Sequence, residues 1–105
     1  MKNLNKVPIG EIKAAAKGHF FDADTMRFFR SAPAAYGFRA ADGAIYFATT
    51  EQFVPSRGKP FPRRASVRVL DAAGNVSTVG DFQGYETLRA ASLAARAIAT
   101  AQRGA

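Results

Sequence analysis

The dipeptide Asp42-Gly43 stands between two alternating runs, Tyr36-Gly37-Phe38-Arg39 before it and Ile45-Tyr46-Phe47-Ala48-Thr49 after it. Asp-Gly at such a place is the preferred sequence of a tight β-hairpin turn, whose backbone must enter φ > 0, where glycine carries no steric penalty. The chain is thereby committed to antiparallel sheet. A two-residue loop sets Ala40 opposite Ile45 and Phe38 opposite Phe47. Large apolar side chains then share one face, and Arg39 lies with Tyr46 on the other.

A second hairpin follows from Ser66-Val67-Arg68-Val69-Leu70 and Val76-Ser77-Thr78-Val79-Gly80, joined by Asp71-Ala72-Ala73-Gly74. With a three-residue loop, Val67 faces Val79 and Arg68 sits beside Thr78. After Gly84 the pattern changes to helical periodicity from Glu86 to Arg103, with Gly104 at a C′ position. Ala90, Ala91, Ala94, Ala95, Ala97, Ile98 and Ala101 fall on one side of this helix. Small side chains let a helix lie close on a sheet, so these residues are expected to face it, with Leu88 and Ile98 as anchors. Arg89, Arg96 and Arg103 recur every seven residues and form a basic stripe on the outer side. That stripe is read either as a solvated face or as a secondary binding surface.

The N-terminal third adds short helices. Pro8 to Gly18 reads as a helix with proline at its start and glycine at its end, and Ile9, Ile12 and Ala16 form its thin apolar side. Docking on the core and ordering only on binding both fit that segment. In Phe20-Phe21-Asp22-Ala23-Asp24-Thr25-Met26, Asp22 at an N-cap places Phe21 and Met26 at the two positions of a hydrophobic staple, favouring a helix over a strand.

The resulting expectation is an α+β fold. A four-stranded antiparallel sheet of two hairpins carries a long C-terminal helix on one face, with one or two short N-terminal helices. Residues 1–18 form a leader and residues 19–105 a single domain. Hydrophobic residues make up 48% of the 105, enough for a core in one domain of this length.

Several functions find no support in the residues. There is no cysteine, which excludes disulfides, cysteine-ligated zinc and thiol chemistry. The one histidine, His19, next to Gly18 and Phe20, is read as a helix-end or partly buried residue. Asp22 and Asp24 are better explained by helix capping than by acid–base or metal chemistry. The serines and threonines have no identifiable base, and the glycines form no phosphate-binding motif. No apolar run approaches the roughly 18 residues of a membrane span. The expectation is a cytoplasmic non-enzyme with no cofactor, metal or membrane partner.

What remains is positive charge beside aromatic rings. Fifteen lysines and arginines against eight acids give a net charge of +7, which favours nucleic acid or acidic protein surfaces. Phe53 to Arg64 is a loop stiffened by Pro55, Pro60 and Pro62 and charged by Arg57, Lys59, Arg63 and Arg64. Arg39, Tyr46, Arg68 and Thr78 are expected on the uncovered face of the sheet. Either that face is merely solvated, or Arg39, Tyr46 and Arg68 join Arg57, Lys59, Arg63 and Arg64 in contacting phosphates and bases.

The blocks Phe20-Phe21-Asp22-Ala23-Asp24-Thr25-Met26-Arg27-Phe28-Phe29-Arg30-Ser31, Tyr46-Phe47-Ala48-Thr49-Thr50-Glu51-Gln52-Phe53, Pro62-Arg63-Arg64-Ala65-Ser66-Val67-Arg68-Val69 and Val79-Gly80-Asp81-Phe82-Gln83-Gly84-Tyr85 resemble those of a family of short, uncharacterised phage and mobile-element proteins. The hairpin followed by Gly80-x-Phe82 and an Ala-rich helix is also similar to the arm domains of integrases. The first resemblance implies a phage accessory role and carries no activity or site residues. The functional expectation is thus a binding module for nucleic acid or a nucleoprotein complex. The alternative is an inhibitor of a host defence system, of anti-CRISPR type, that holds a host protein through Phe28, Phe29 or the Arg57 to Arg64 loop.

Overall fold

In the computed structural model, the described residues are 6–18, 20–28 and 30–104. His19 and Phe29 lie outside them, as do the side chains of Phe28 and Arg103. The fold is α+β, and its antiparallel sheet has six strands where the sequence suggested four. In chain order the elements are β1 (Lys6–Pro8), α1 (Ile9–Ala15), α2 (Ala23–Phe28), β2 (Ala32–Pro33), β3 (Tyr36–Arg39), β4 (Ile45–Glu51), β5 (Arg64–Leu70), β6 (Val76–Val79) and α3 (Leu88–Gly104). The strands lie in the order β1-β3-β4-β5-β6, and β2 pairs with β4. The two additional strands hold only three and two residues, too few to show a period of two. Both contain proline, which an edge position tolerates because no ladder N–H is required of it there.

The Asp42-Gly43 hairpin forms with a register one residue away from the expected one. Arg39 opposes Ile45 and Phe38 opposes Tyr46. The Ala40 N–H donates to the Ala44 carbonyl at 2.8 Å, so the loop is Ala41-Asp42-Gly43. Gly43 alone of the three has positive φ, at 91°. Asp42 Oδ1 accepts the Ala44 N–H at 3.0 Å. That local bond supports a type I-like turn followed by a left-handed glycine, in place of a turn with two left-handed residues. A one-residue slip exchanges faces, so Tyr46 is parted from Arg39. The β5–β6 hairpin has the expected three-residue loop, with Val67 opposite Val79 and Arg68 opposite Thr78. Asp71 Oδ1 closes it by accepting the N–H groups of Ala73 and Asn75 at 3.0 and 2.9 Å.

Both faces of the sheet are covered. On one, α3 packs Ala91 and Ala95 against Ala48, Ala65 and Val67, flanked by Phe38, Tyr46, Leu88 and Ile98. Small residues at this seam permit the close approach that the sequence indicated. The buried row of the helix includes Ala99, however, and Ala90, Ala97 and Ala101 are exposed. The helix begins at Leu88 and not at Glu86 because Thr87 caps it, its hydroxyl accepting the Ala90 N–H at 3.0 Å.

The other face, expected to be open, carries a second core of Val7, Ile12, Ile45, Phe47 and Leu70 beneath Phe20 and Phe21. The segment that carries α1 is fastened at both ends: the Ile9 N–H donates to the Ala35 carbonyl and the Lys17 N–H to the Gly74 carbonyl, each at 2.8 Å. Gly37 lets α1 lie on β3. A Cβ at Gly37 would lie 2.8 Å from Ile12 Cδ1 and 2.9 Å from both Phe47 Cβ and the Tyr46 carbonyl oxygen. Gly37→Ala is therefore expected to destabilise the fold by roughly 1–3 kcal/mol, the cost of overpacking. Urea unfolding checks this, and an unchanged midpoint would mean that α1 is not seated as described.

Candidate functional site

The functional candidates gather where β4 and β5 run out into their connecting loop. The last ladder pair is Glu51 with Arg64, and residues 52–63 leave the sheet. The Phe61 N–H donates to the Phe53 carbonyl at 2.9 Å, pinching the loop at its base. The two rings meet edge to face with centroids 5.2 Å apart. Even so, Phe53 is 56% and Phe61 55% exposed, so the pair presents aromatic surface to solvent. Arg57, Lys59 and Arg63 are exposed on the same loop. No acidic residue occurs between Glu51 and Asp71, so the cations are not offset by neighbours in sequence.

Beneath the loop lies a buried polar network. Arg68, 8% exposed, donates from Nη2 to Glu51 Oε2 at 2.8 Å, from Nε to Thr49 Oγ1 at 3.1 Å and from Nη1 to Thr78 Oγ1 at 2.6 Å. Thr49 Oγ1 donates to Glu51 Oε2, and Ser66 Oγ donates to Glu51 Oε1 at 2.9 Å. The guanidinium carbon lies 5.1 and 5.3 Å from the ring centroids of Phe20 and Phe82, within cation–π range of both. Among the described residues no buried side-chain nitrogen or oxygen lacks a partner. Each polar side-chain atom of the network has a partner within the protein, and Ser66 Oγ also accepts the Gln83 N–H, so the arrangement serves to hold the sheet and the 81–84 turn together.

The sequence-derived binding residues therefore separate into groups. Arg57 and Lys59 are exposed at the loop tip, and Arg39 is exposed on β3 on the α1 side. Tyr46 is half-buried against α3, so it does not share the face of Arg39 and Arg68. Arg68 is buried in its ion pair. Arg63 donates from Nη1 to the Arg30 carbonyl at 2.8 Å and to Thr50 Oγ1 at 2.9 Å, and Arg64 donates from Nε to the Gln83 carbonyl at 2.8 Å. Those two tie down neighbouring loops. Arg89 and Arg96 are exposed on α3, away from the sheet.

Sequence reasoning missed Arg30, Gln52, Phe53, Phe82 and Gln83, which line one cavity of about 400 Å³ with Glu51 and Val54. Their positions come from three separated segments, and only the position of Phe53 at the head of the charged loop was a usable signal. Among the described residues no cluster of three or more His, Asp or Glu is placed to hold a metal ion, and no helix is long and apolar enough to cross a membrane.

Residues 7–96 match the model of DUF7447, a family of unknown function, and the chain belongs to that family. No curated protein and no solved structure matches it.

Proposed function

We propose that this member of a family of unknown function is a non-catalytic binding module for single-stranded nucleic acid, alone or within a nucleoprotein complex. The observation that carries the reading is the exposed Phe53–Phe61 pair at the base of a loop bearing Arg57, Lys59 and Arg63. Cations that track a phosphate backbone beside exposed rings on which bases stack are the common means of holding single strands. Arg39, opposite Ile45, stands at the other end of β4 from this loop, while Tyr46 and Arg68 support the fold.

Fluorescence anisotropy with a labelled single strand tests this directly. Affinity is expected to fall steeply with salt, and Arg57→Ala with Lys59→Ala to reduce the slope of log K against log salt by about 1.4, at about 0.7 for each phosphate no longer neutralised. Phe53→Ala and Phe61→Ala are expected to weaken binding with the slope kept, by about 1–3 kcal/mol for each base unstacked. Binding that ignores both salt and these substitutions would overturn the proposal.

A second reading is favoured by the apolar character of the same loop, where Phe53, Val54 and Phe61 are all exposed. Such side chains anchor protein interfaces, which fits a phage-encoded inhibitor seated on an acidic patch of a host defence protein. A nuclease-resistant, stoichiometric protein complex with no affinity for oligonucleotides would favour that reading over the first.

A further inference from the structure

Only two non-glycine residues among those described have positive φ, Arg30 at 51° and Gln83 at 56°, and both line the cavity of about 400 Å³ beside Phe53. Each occupies a position that favours glycine. Arg30 is the C′ residue that ends α2: its N–H donates to the Arg27 carbonyl and the Ser31 N–H to the Met26 carbonyl, the paired bonds of a Schellman motif. Gln83 is the third residue of a turn closed by the Gly84 N–H to the Asp81 carbonyl, where glycine or asparagine is preferred. Gly84 stands one residue further on. Long polar side chains thus sit at two strained backbone positions around one cavity, and strain of this kind concentrates at ligand clamps.

The walls of the cavity are fixed. Arg63 holds the Arg30 carbonyl, while Gln83 is held at its N–H by Ser66 Oγ at 2.7 Å and at its carbonyl by Arg64 Nε. The glutamine amides are oriented as well. Gln52 Nε2 donates to the Phe61 carbonyl at 3.1 Å and Gln83 Nε2 to the Glu51 carbonyl at 2.8 Å. A backbone carbonyl only accepts, so in each amide the nitrogen must face it, and each Oε1 remains an acceptor. Neither Oε1 has a hydrogen bond among the described residues. Phe53, Val54 and Phe82 supply apolar wall. The one carboxylate at the cavity, Glu51, has both oxygens engaged by Arg68, Thr49 and Ser66. Arg30 therefore adds positive charge to a lining whose one carboxylate is already compensated.

Resting on the single-strand reading above, we infer that this cavity takes one unstacked nucleobase and prefers a base with an exocyclic amine, which the two glutamine oxygens accept. Its volume lies in the range of small-ligand pockets. The phosphates flanking the base lie against Arg30 and the loop cations.

Oligo(dC) and oligo(dT) of equal length give the test, since these pyrimidines stack similarly and cytosine alone carries the amine. In anisotropy titrations the protein is expected to bind oligo(dC) roughly fivefold to tenfold more tightly, the scale of one or two net hydrogen bonds. Gln52→Met and Gln83→Met are each expected to narrow that ratio, weakening oligo(dC) more than oligo(dT). Arg30→Gly relieves the backbone strain, so it is expected to raise the unfolding midpoint and yet weaken both oligonucleotides. Equal affinity for the two oligonucleotides, or a ratio untouched by both glutamine variants, would overturn the base pocket and leave the loop reading standing. No binding to either oligonucleotide would overturn both.

Discussion

Glu51→Ala is expected to destabilise the protein by about 3–5 kcal/mol, because it leaves the Arg68 guanidinium buried and unpaired. Glu51 is 1% exposed and receives hydrogen bonds from Arg68, Thr49 and Ser66. Removing its carboxylate strands all three donors, and the cost of an unmet buried donor exceeds the net worth of the bond it made. Arg68→Met alone leaves the carboxylate with its two hydroxyl donors but without its counter-charge, and is also expected to be costly. The combination Glu51→Leu with Arg68→Met removes both charges, so it should recover part of the loss, short of full recovery because Thr49 and Ser66 remain. Chemical denaturation of Glu51→Leu, Arg68→Met and their combination, each against the unsubstituted protein, forms a double-mutant cycle. Additive losses would show that the pair is not coupled and would remove the account of Arg68 as a structural residue.

Phe47→Ala is expected to cost about 3–5 kcal/mol as well, through lost burial and the cavity left behind. Phe47 is fully buried. Its ring stacks on Phe21 with centroids 5.9 Å apart and meets Phe20 edge to face at 6.2 Å, joining the second core to the segment before α2. Phe38→Ala is expected to cost clearly less, since Phe38 is only half-buried on the α3 side. From the alternation alone, the two phenylalanines looked equivalent and opposite one another. Their observed placement on different faces predicts an unequal pair of urea midpoints. Equal losses would restore the two-residue turn and the original register.

The register is the clearest case of a feature written only partly in the residues. Asp-Gly announces a hairpin, yet a two-residue and a three-residue loop both use that dipeptide, and they differ by the one position that reverses every face. Here the Asp42 side chain, by accepting the Ala44 N–H, supports the longer loop. In the β5–β6 hairpin the corresponding Asp71 makes the same kind of local bond across a loop whose length was plain, and there the expected register is the observed one. The candidate binding site shows a similar division. The loop cations Arg57 and Lys59 were legible as exposed charge, because prolines keep their segment out of any ladder. Arg68 looked like part of a basic face, because the carboxylate that neutralises it lies seventeen residues away along the chain.

The sequence by itself determined the hairpins, the Ala-rich helix with its basic outer side and the rigid charged loop. These follow from local rules: which residues tolerate φ > 0, how side chains repeat along an element, and where proline bars a hydrogen bond. Tertiary structure alone decided that Lys6–Pro8 and Ala32–Pro33 become strands, since two or three residues carry no periodic signal and pair only because an open edge of the sheet lies beside them. It also decided that both faces of the sheet are covered, that Arg68 is buried against Glu51, and that Arg30, Gln52 and Gln83 surround one cavity. Those outcomes depend on interactions between segments distant in the chain, and these are selected by the summed burial and hydrogen bonding of the whole domain, a quantity no local pattern contains.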